Sequence, residues 1–227
     1  MNIIANILGL IYPNLCIVCG ESLINSENQI CMSCVSEMPR TNFHRVKDNI
    51  VEKKFWGKVK IEKGTSFFYF AKGSPFQKTL HELKYKGNKK IGKILGMYAA
   101  TDLIEDNYFS EVDVIIPVPL HPKKLKKRGY NQSEWIAQGL SQILEKPMET
   151  KFLHRIRNTE TQTKKGVFER FENTEGIFCV EKNGQLAGKH ILLVDDVLTT
   201  GSTIEAAAQA LLSVESVKVS VFTLAMA

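Results

Sequence analysis

No apolar run in this 227-residue chain is long enough to cross a bilayer, so a membrane span is not expected. The apolar opening, Met1 to Leu10, has no Lys or Arg ahead of it and no small-residue cleavage site before Tyr12 and Pro13. It makes a poor secretory signal and reads as an amphipathic helix, with Ile3, Ile4, Ile7, Leu8 and Ile11 on one face. There is no internal repeat and no low-complexity tract, which excludes a solenoid and a disordered linker. Acidic side chains are outnumbered, 24 against 30 Lys and Arg, and the net charge of +6 favours phosphorylated or nucleic-acid ligands over cationic ones. Cysteine is scarce: five in all, four of them crowded between positions 16 and 34. The expected compartment is the cytoplasm, where paired cysteines hold metal or do redox chemistry more often than they form structural disulfides.

What remains suffices for one core and a small accessory unit, since 44% of the residues are hydrophobic. The stretch from Met38 to Lys63 is charged and irregular and reads as a connection. Ser66 to Phe70 is β-like, Pro75 to Leu83 reads as a short helix, and Lys89 to Ile104 shows helical spacing through Ile91, Ile94, Leu95, Tyr98 and Leu103. Val112 to Ile116 is a β-branched run ending at Pro117-Val118-Pro119, as a buried parallel strand would on entering a loop, and a helix is predicted over Asn131 to Leu144. Phe152 to Gly176 is polar and aperiodic, a candidate hood that could include a hairpin. The last third reads as strand His190–Val194, a polar turn, helix Ser202–Leu212 and strand Val217–Leu224. That βαβ unit predicts a doubly wound sheet.

Cys16-Ile17-Val18-Cys19 and Cys31-Met32-Ser33-Cys34 are two knuckles, each offering two thiolates from one tight turn. Together they make a tetrahedral ligand set for zinc, closed by a small hairpin from Glu21 to Ile30. Four thiolates leave no open coordination position, so the Zn²⁺ would be structural. Cys179 stands alone in a β-like stretch and reads as a small buried side chain.

From Ile191 to Thr203 an apolar strand leads to Asp195 and Asp196, then to Val197-Leu198-Thr199-Thr200-Gly201-Ser202-Thr203 at the start of a helix. This is the chemistry of a phosphate-monoester site at the carboxyl end of a strand. Backbone N–H groups and hydroxyls of Thr199, Thr200, Ser202 and Thr203 would donate, Gly201 permits close approach, and the two acids could accept from ribose hydroxyls. Helix capping alone would account for any one of these residues.

The thirteen-residue run closely resembles the phosphoribosyl-diphosphate signature of type I phosphoribosyltransferases. That resemblance implies a parallel α/β sheet with flanking helices, ribose hydroxyls on Asp195 and Asp196, and a 5′-phosphate on Thr199, Thr200, Gly201, Ser202 and Thr203. Four further segments look like the ComF family of competence-associated proteins in family order: Leu83-Lys84-Tyr85-Lys86-Gly87, the Pro117-Val118-Pro119-Leu120-His121-Pro122 loop, Arg128-Gly129-Tyr130-Asn131-Gln132, and Thr161-Gln162-Thr163 through Arg170. The cysteine-bearing opening is similar to that family's zinc ribbon. The resemblance implies a ribbon unit over 1–45 and a phosphoribosyltransferase-like domain over 46–227, with Leu120, His121 and Arg128 near the diphosphate. It also implies Mg²⁺ bound with phosphoribosyl diphosphate, and partners that include single-stranded DNA and other DNA-uptake proteins in natural transformation.

Two functional readings follow. In an active transferase Mg²⁺ would neutralise the diphosphate, Arg128 with Lys164, Lys165 or Arg170 would close over it, and a nucleobase or other small acceptor would attack the ribose. In a DNA-handling adaptor Lys123, Lys124, Lys126, Lys127, Arg128, Arg155 and Arg157 would neutralise strand phosphates while Tyr85, Tyr130 or Trp135 stack on bases. Trp135 also fits a core position, and His121 and His154 fit surface positions.

Overall fold

The computed structural model describes residues 13–156, 171–172, 176–181 and 184–227. The predicted opening helix, Arg157, and the segment bearing Thr161, Gln162, Thr163, Lys164, Lys165 and Arg170 lie outside them. The helices are α1 (Met32–Ser36), α2 (Ile50–Lys53), α3 (Gln77–Tyr85), α4 (Lys89–Glu105), α5 (Pro122–Arg128), α6 (Gln132–Leu144) and α7 (Ser202–Leu212). The strands are β1 (Gly64–Tyr69), β2 (Val114–Pro117), β3 (Leu153–Arg155), β4 (Phe171–Glu172), β5 (Phe178–Glu181), β6 (His190–Leu198) and β7 (Lys218–Met226).

Four strands form one sheet in the order β1-β7-β6-β2, every pair parallel. Alternation along its strands builds two cores, because successive side chains leave opposite faces. Leu192 and Val194 of β6 and Phe222 and Leu224 of β7 pack with α3, α4 and α6 on one face. Ile191 and Leu193, with Val219 and Val221, pack on the other against α7 and β5. Helix α7 buries Ile204, Ala207, Ala208 and Leu211, an i, i+3, i+4, i+7 stripe. A second, antiparallel sheet, β3-β5-β4, covers part of the α7 side; β3 and β4 fall in the polar segment, and both pair with β5 beyond it.

Two expectations need correction. Strand β6 does not stop at Val194 but runs to Leu198, because Asp195, Val197 and Leu198 continue in register with Thr223, Ala225 and Met226 of β7. The two acids therefore sit on the strand and not in a turn. Nor is 38–63 a mere connection: Asn49 caps α2 in a reciprocal box with Glu52, and Phe43, Val51 and Phe55 are buried in the α7-side core. Local charge hid those three apolar anchors.

The cysteine module is continuous with the main body. Cys16, Val18, Ile30, Cys34, Val35 and Met38 belong to the same buried cluster as Leu80, Leu83 and Leu95. Lys78 Nζ donates to the Val18 carbonyl (3.0 Å), and Asn88 Nδ2 donates to Gln29 Oε1 (2.6 Å).

Candidate functional site

Strand β2 ends at Pro117, opposite Val194, while its parallel neighbour β6 runs on to Leu198, and a pocket of about 170 Å³ opens there toward the carboxyl ends, where open α/β sheets place ligands. Its wall is formed by Val118, Pro119 and Leu120 after β2, by Gln132 and Ser133 at the start of α6, by Asp195, Asp196 and Val197 of β6, and by Thr203 of α7. Four cations reach it: Lys84, Lys124, Arg128 and Arg155. A second hollow of about 260 Å³ shares Lys84, Lys124 and Arg128 and adds Tyr85, Lys127 and Tyr130.

The acids occupy different environments. Asp195 Oδ1 accepts from the Ser133 hydroxyl (2.9 Å) and from the Asp196 backbone N–H (2.9 Å). Burial, and then the adjacent Asp196 charge, push the Asp195 carboxyl up to about 7, although those two donors and the Lys84 ammonium oppose the rise. Asp196 points the other way, to Lys84 Nζ at 3.1 Å. Sequence reading found no cation near the acids in sequence. The partner comes from the last turn of α3, a position fixed by the Tyr130 hydroxyl, which donates to the Leu83 carbonyl.

The turn into α7 is built for close approach. Gly201 has φ +86°, a left-handed conformation, and a Cβ there would lie 3.2 Å from the buried Phe55 ring. Thr200 and Ser202 share a hydroxyl hydrogen bond (2.7 Å), and Lys54 Nζ donates to the Thr199 carbonyl (2.7 Å). The 50–61 segment thus props the loop from below, a role its charged sequence did not signal. Gly201, the residue before α7, offers no capping side chain; the Ser202 N–H reaches Thr200 Oγ1 at 3.5 Å, and Thr203 in the first turn lines the pocket.

The loop after β2 is held by Val118 N–H donating to the Val194 carbonyl (2.8 Å) and by Asn131 Nδ2 donating to the Val118 carbonyl (3.0 Å). His121 caps the basic helix α5, its Nδ1 accepting from Lys123 N–H (3.2 Å), and does not line the pocket. Arg128 stacks on Tyr85 (5.4 Å) and donates to Gln132 Oε1 (2.7 Å). The structure therefore gathers Asp195, Asp196, Thr203, Leu120 and Arg128 around one pocket, whereas Thr199, Thr200, Gly201, Ser202 and His121 do not line it. Among the stacking candidates Tyr85 is exposed, Tyr130 is buried beneath Lys89, and Trp135 packs on the core, so only Tyr85 is open to a base.

In the cysteine module all four knuckle thiols lie within 4.8 Å of one another, and Cys19 Sγ and Cys31 Sγ are 3.7 Å apart. A tetrahedral zinc with bonds of about 2.3 Å separates its sulfurs by about 3.8 Å, so the donor set fits such an ion. Cys179 is buried, as expected, and burial pushes its thiol up to about 11.

A parallel sheet with an acid pair near the carboxyl end of one strand and a glycine turn opening the next helix fits the phosphoribosyltransferase-like class of α/β domain. The chain belongs to the family described as "Phosphoribosyl transferase domain", which matches residues 88–226. Within it, the resemblance to the ComF branch is borne out by its relatives. "Competence protein ComFC" of Bacillus subtilis is 29% identical over 215 residues, covering 93% of this chain and 77% of that one. "Competence protein F" of Haemophilus influenzae is 37% identical over 111 residues, 47% of this chain and 48% of that protein. "DNA utilization protein YhgH" of Shigella flexneri is 33% identical over 141 residues, and the chain spans 61% of its length. Among the described residues no helix is long and apolar enough to cross a membrane.

Proposed function

We propose that this chain binds phosphoribosyl diphosphate with Mg²⁺ between β2 and β6 and acts in DNA uptake in the cytoplasm, handling single-stranded DNA beside other uptake proteins. The observation that carries the reading is that Asp195, Asp196 and Thr203 of the first turn of α7 line one pocket together with Lys84, Lys124, Arg128 and Arg155. Two carboxylates suit the ribose hydroxyls, and N–H groups with Thr and Ser hydroxyls suit a 5′-phosphate. The carboxylates also offer hard oxygen donors to Mg²⁺, which would neutralise the diphosphate. Helix α5 presents Lys123, Lys124, Lys126 and Lys127 as an exposed basic face next to the pocket, with Tyr85 alongside, and this supports the DNA role. The ribbon, over 1–45, would hold a structural Zn²⁺ and dock onto the 46–227 unit.

A second reading, transfer of the ribosyl group to a nucleobase or other small acceptor, is favoured by the completeness of the acid pair. In that case Asp195 and Asp196 would also stabilise positive charge developing at the ribose C1. Calorimetric titration of the zinc-loaded protein with phosphoribosyl diphosphate and Mg²⁺, beside an Asp195→Asn/Asp196→Asn double variant, tests the pocket. Binding by the parent alone supports the reading. No binding by the parent overturns it and leaves the DNA role to stand without the pocket.

A further inference from the structure

Two buried N–H groups at the pocket have no partner. Gln132 is 1% exposed, yet its Nε2 makes no hydrogen bond, and the buried Nε of Arg155 makes none either. Both side chains line the cavity that contains the acid pair. The orientation of the Gln132 amide is dictated by chemistry: Arg128 can only donate, so the oxygen must face its Nη1 at 2.7 Å, and the NH₂ is turned away. A buried donor without an acceptor is destabilising, and a ligand oxygen would remove that cost.

We propose that Gln132 Nε2 and Arg155 Nε bind a phosphoryl oxygen of the diphosphate arm, so that they select a ribose 5-phosphate carrying a 1-diphosphate over one without it. This deepens the phosphoribosyl-diphosphate reading and rests on it. The surroundings fit an anionic acceptor better than a neutral one. Lys124, Arg128 and Arg155 line the same wall, Lys84 already neutralises Asp196, and the start of α6, where Gln132 is the first residue, brings its partial positive charge to the cavity opposite the start of α7. Arg128 acts here through Gln132. Its Nη1 fixes the amide while Tyr85 supports the guanidinium plane, which makes Arg128 a positioning residue for the donor. Arg155 is steadied likewise, its guanidinium lying 5.2 Å over the buried Phe178 ring.

The substitution Gln132→Glu separates this role from a structural one. It keeps the shape and strengthens the bond to Arg128, while replacing the unpartnered NH₂ with an oxygen that repels phosphate. Full-length, zinc-loaded parent, Gln132→Glu and Arg155→Lys proteins would be titrated with phosphoribosyl diphosphate and with pyrophosphate, each with Mg²⁺, and with ribose 5-phosphate. The expected result is a loss of about tenfold or more for the first two ligands in both variants, with ribose 5-phosphate within about twofold of the parent. Parent-like binding of the diphosphate ligands by Gln132→Glu overturns the assignment, as does an equal loss of ribose 5-phosphate. A parent that binds none of the three overturns the phosphoribosyl reading itself, and this assignment with it.

Discussion

At the scale of single residues the pocket holds a buried acid pair whose adjacent charges oppose each other. Asp195 shifts from an ordinary value of 3.8 in the unfolded chain to about 7 in the fold. The folded protein therefore holds a proton that the unfolded chain has released, and stability falls as pH rises between about 4 and about 7. Asp195→Asn keeps Oδ1 for the Ser133 hydroxyl and the Asp196 N–H but removes the charge. It is expected to stabilise the protein by about 1–3 kcal/mol at pH 8 and by less at pH 5, while weakening phosphoribosyl diphosphate binding. Thermal unfolding at the two pH values checks this, and a gain that does not grow with pH would contradict the shifted carboxyl. Lys84→Met removes the only ion-pair partner of Asp196 among the described residues, and is expected to destabilise by about 1–3 kcal/mol in denaturant titrations at pH 8. The acids and hydroxyls were legible in sequence because they fall within one strand-turn-helix. Lys84, Gln132, Ser133 and Arg155 were not legible as pocket residues, because only the fold brings α3, α6 and β3 to the end of β6.

At the scale of elements, period and caps gave most of the boundaries, since helices α3, α4, α6 and α7 and the four parallel strands are patterned, whereas the basic helix α5 shows no apolar period and was not foreseen. The failures have physical causes. Strand β6 outlasts its apolar run because backbone pairing with β7 continues through polar side chains, and the Ala227 N–H still reaches the Leu198 carbonyl (3.0 Å). Helix α2 is too short to show a period and is announced only by its cap. The contact between α4 and α6 shows a constraint that no pattern displayed. A Cβ at Gly139 would lie 2.1 Å from the Lys93 carbonyl oxygen, and one at Gly96 would lie 2.3 Å from that of Ile136. These are backbone atoms, which cannot rotate away, so the helices would have to separate. Gly139→Ala is expected to cost about 3 kcal/mol by chemical denaturation. Because α6 carries Gln132 and Ser133, it should also weaken ligand binding.

At the scale of the whole molecule the cysteine knuckles and the pocket are mechanically linked through α3. Sequence reading divided the chain near residue 45, where the chemistry changes, but it could not show that one buried cluster crosses that point. Cys16, Cys34 and Val18 pack with Leu80 and Leu83, and the residue after Leu83 is Lys84, the counter-ion of Asp196. Four thiolates without a metal repel one another and hold the knuckles poorly, so removing the ion should loosen the ribbon first and then the α3 face it covers. Chelation of the zinc-loaded protein is therefore expected to lower the unfolding temperature and also to weaken phosphoribosyl diphosphate binding several-fold, although no thiol touches the pocket. Cys19→Ser, which removes one of the four knuckle thiols, should reproduce both effects. Calorimetry before and after chelation, with zinc added back, reads the coupling directly. Loss of thermal stability with ligand affinity intact would mean that α3 is held by the remaining core, and that the ribbon and the pocket are independent.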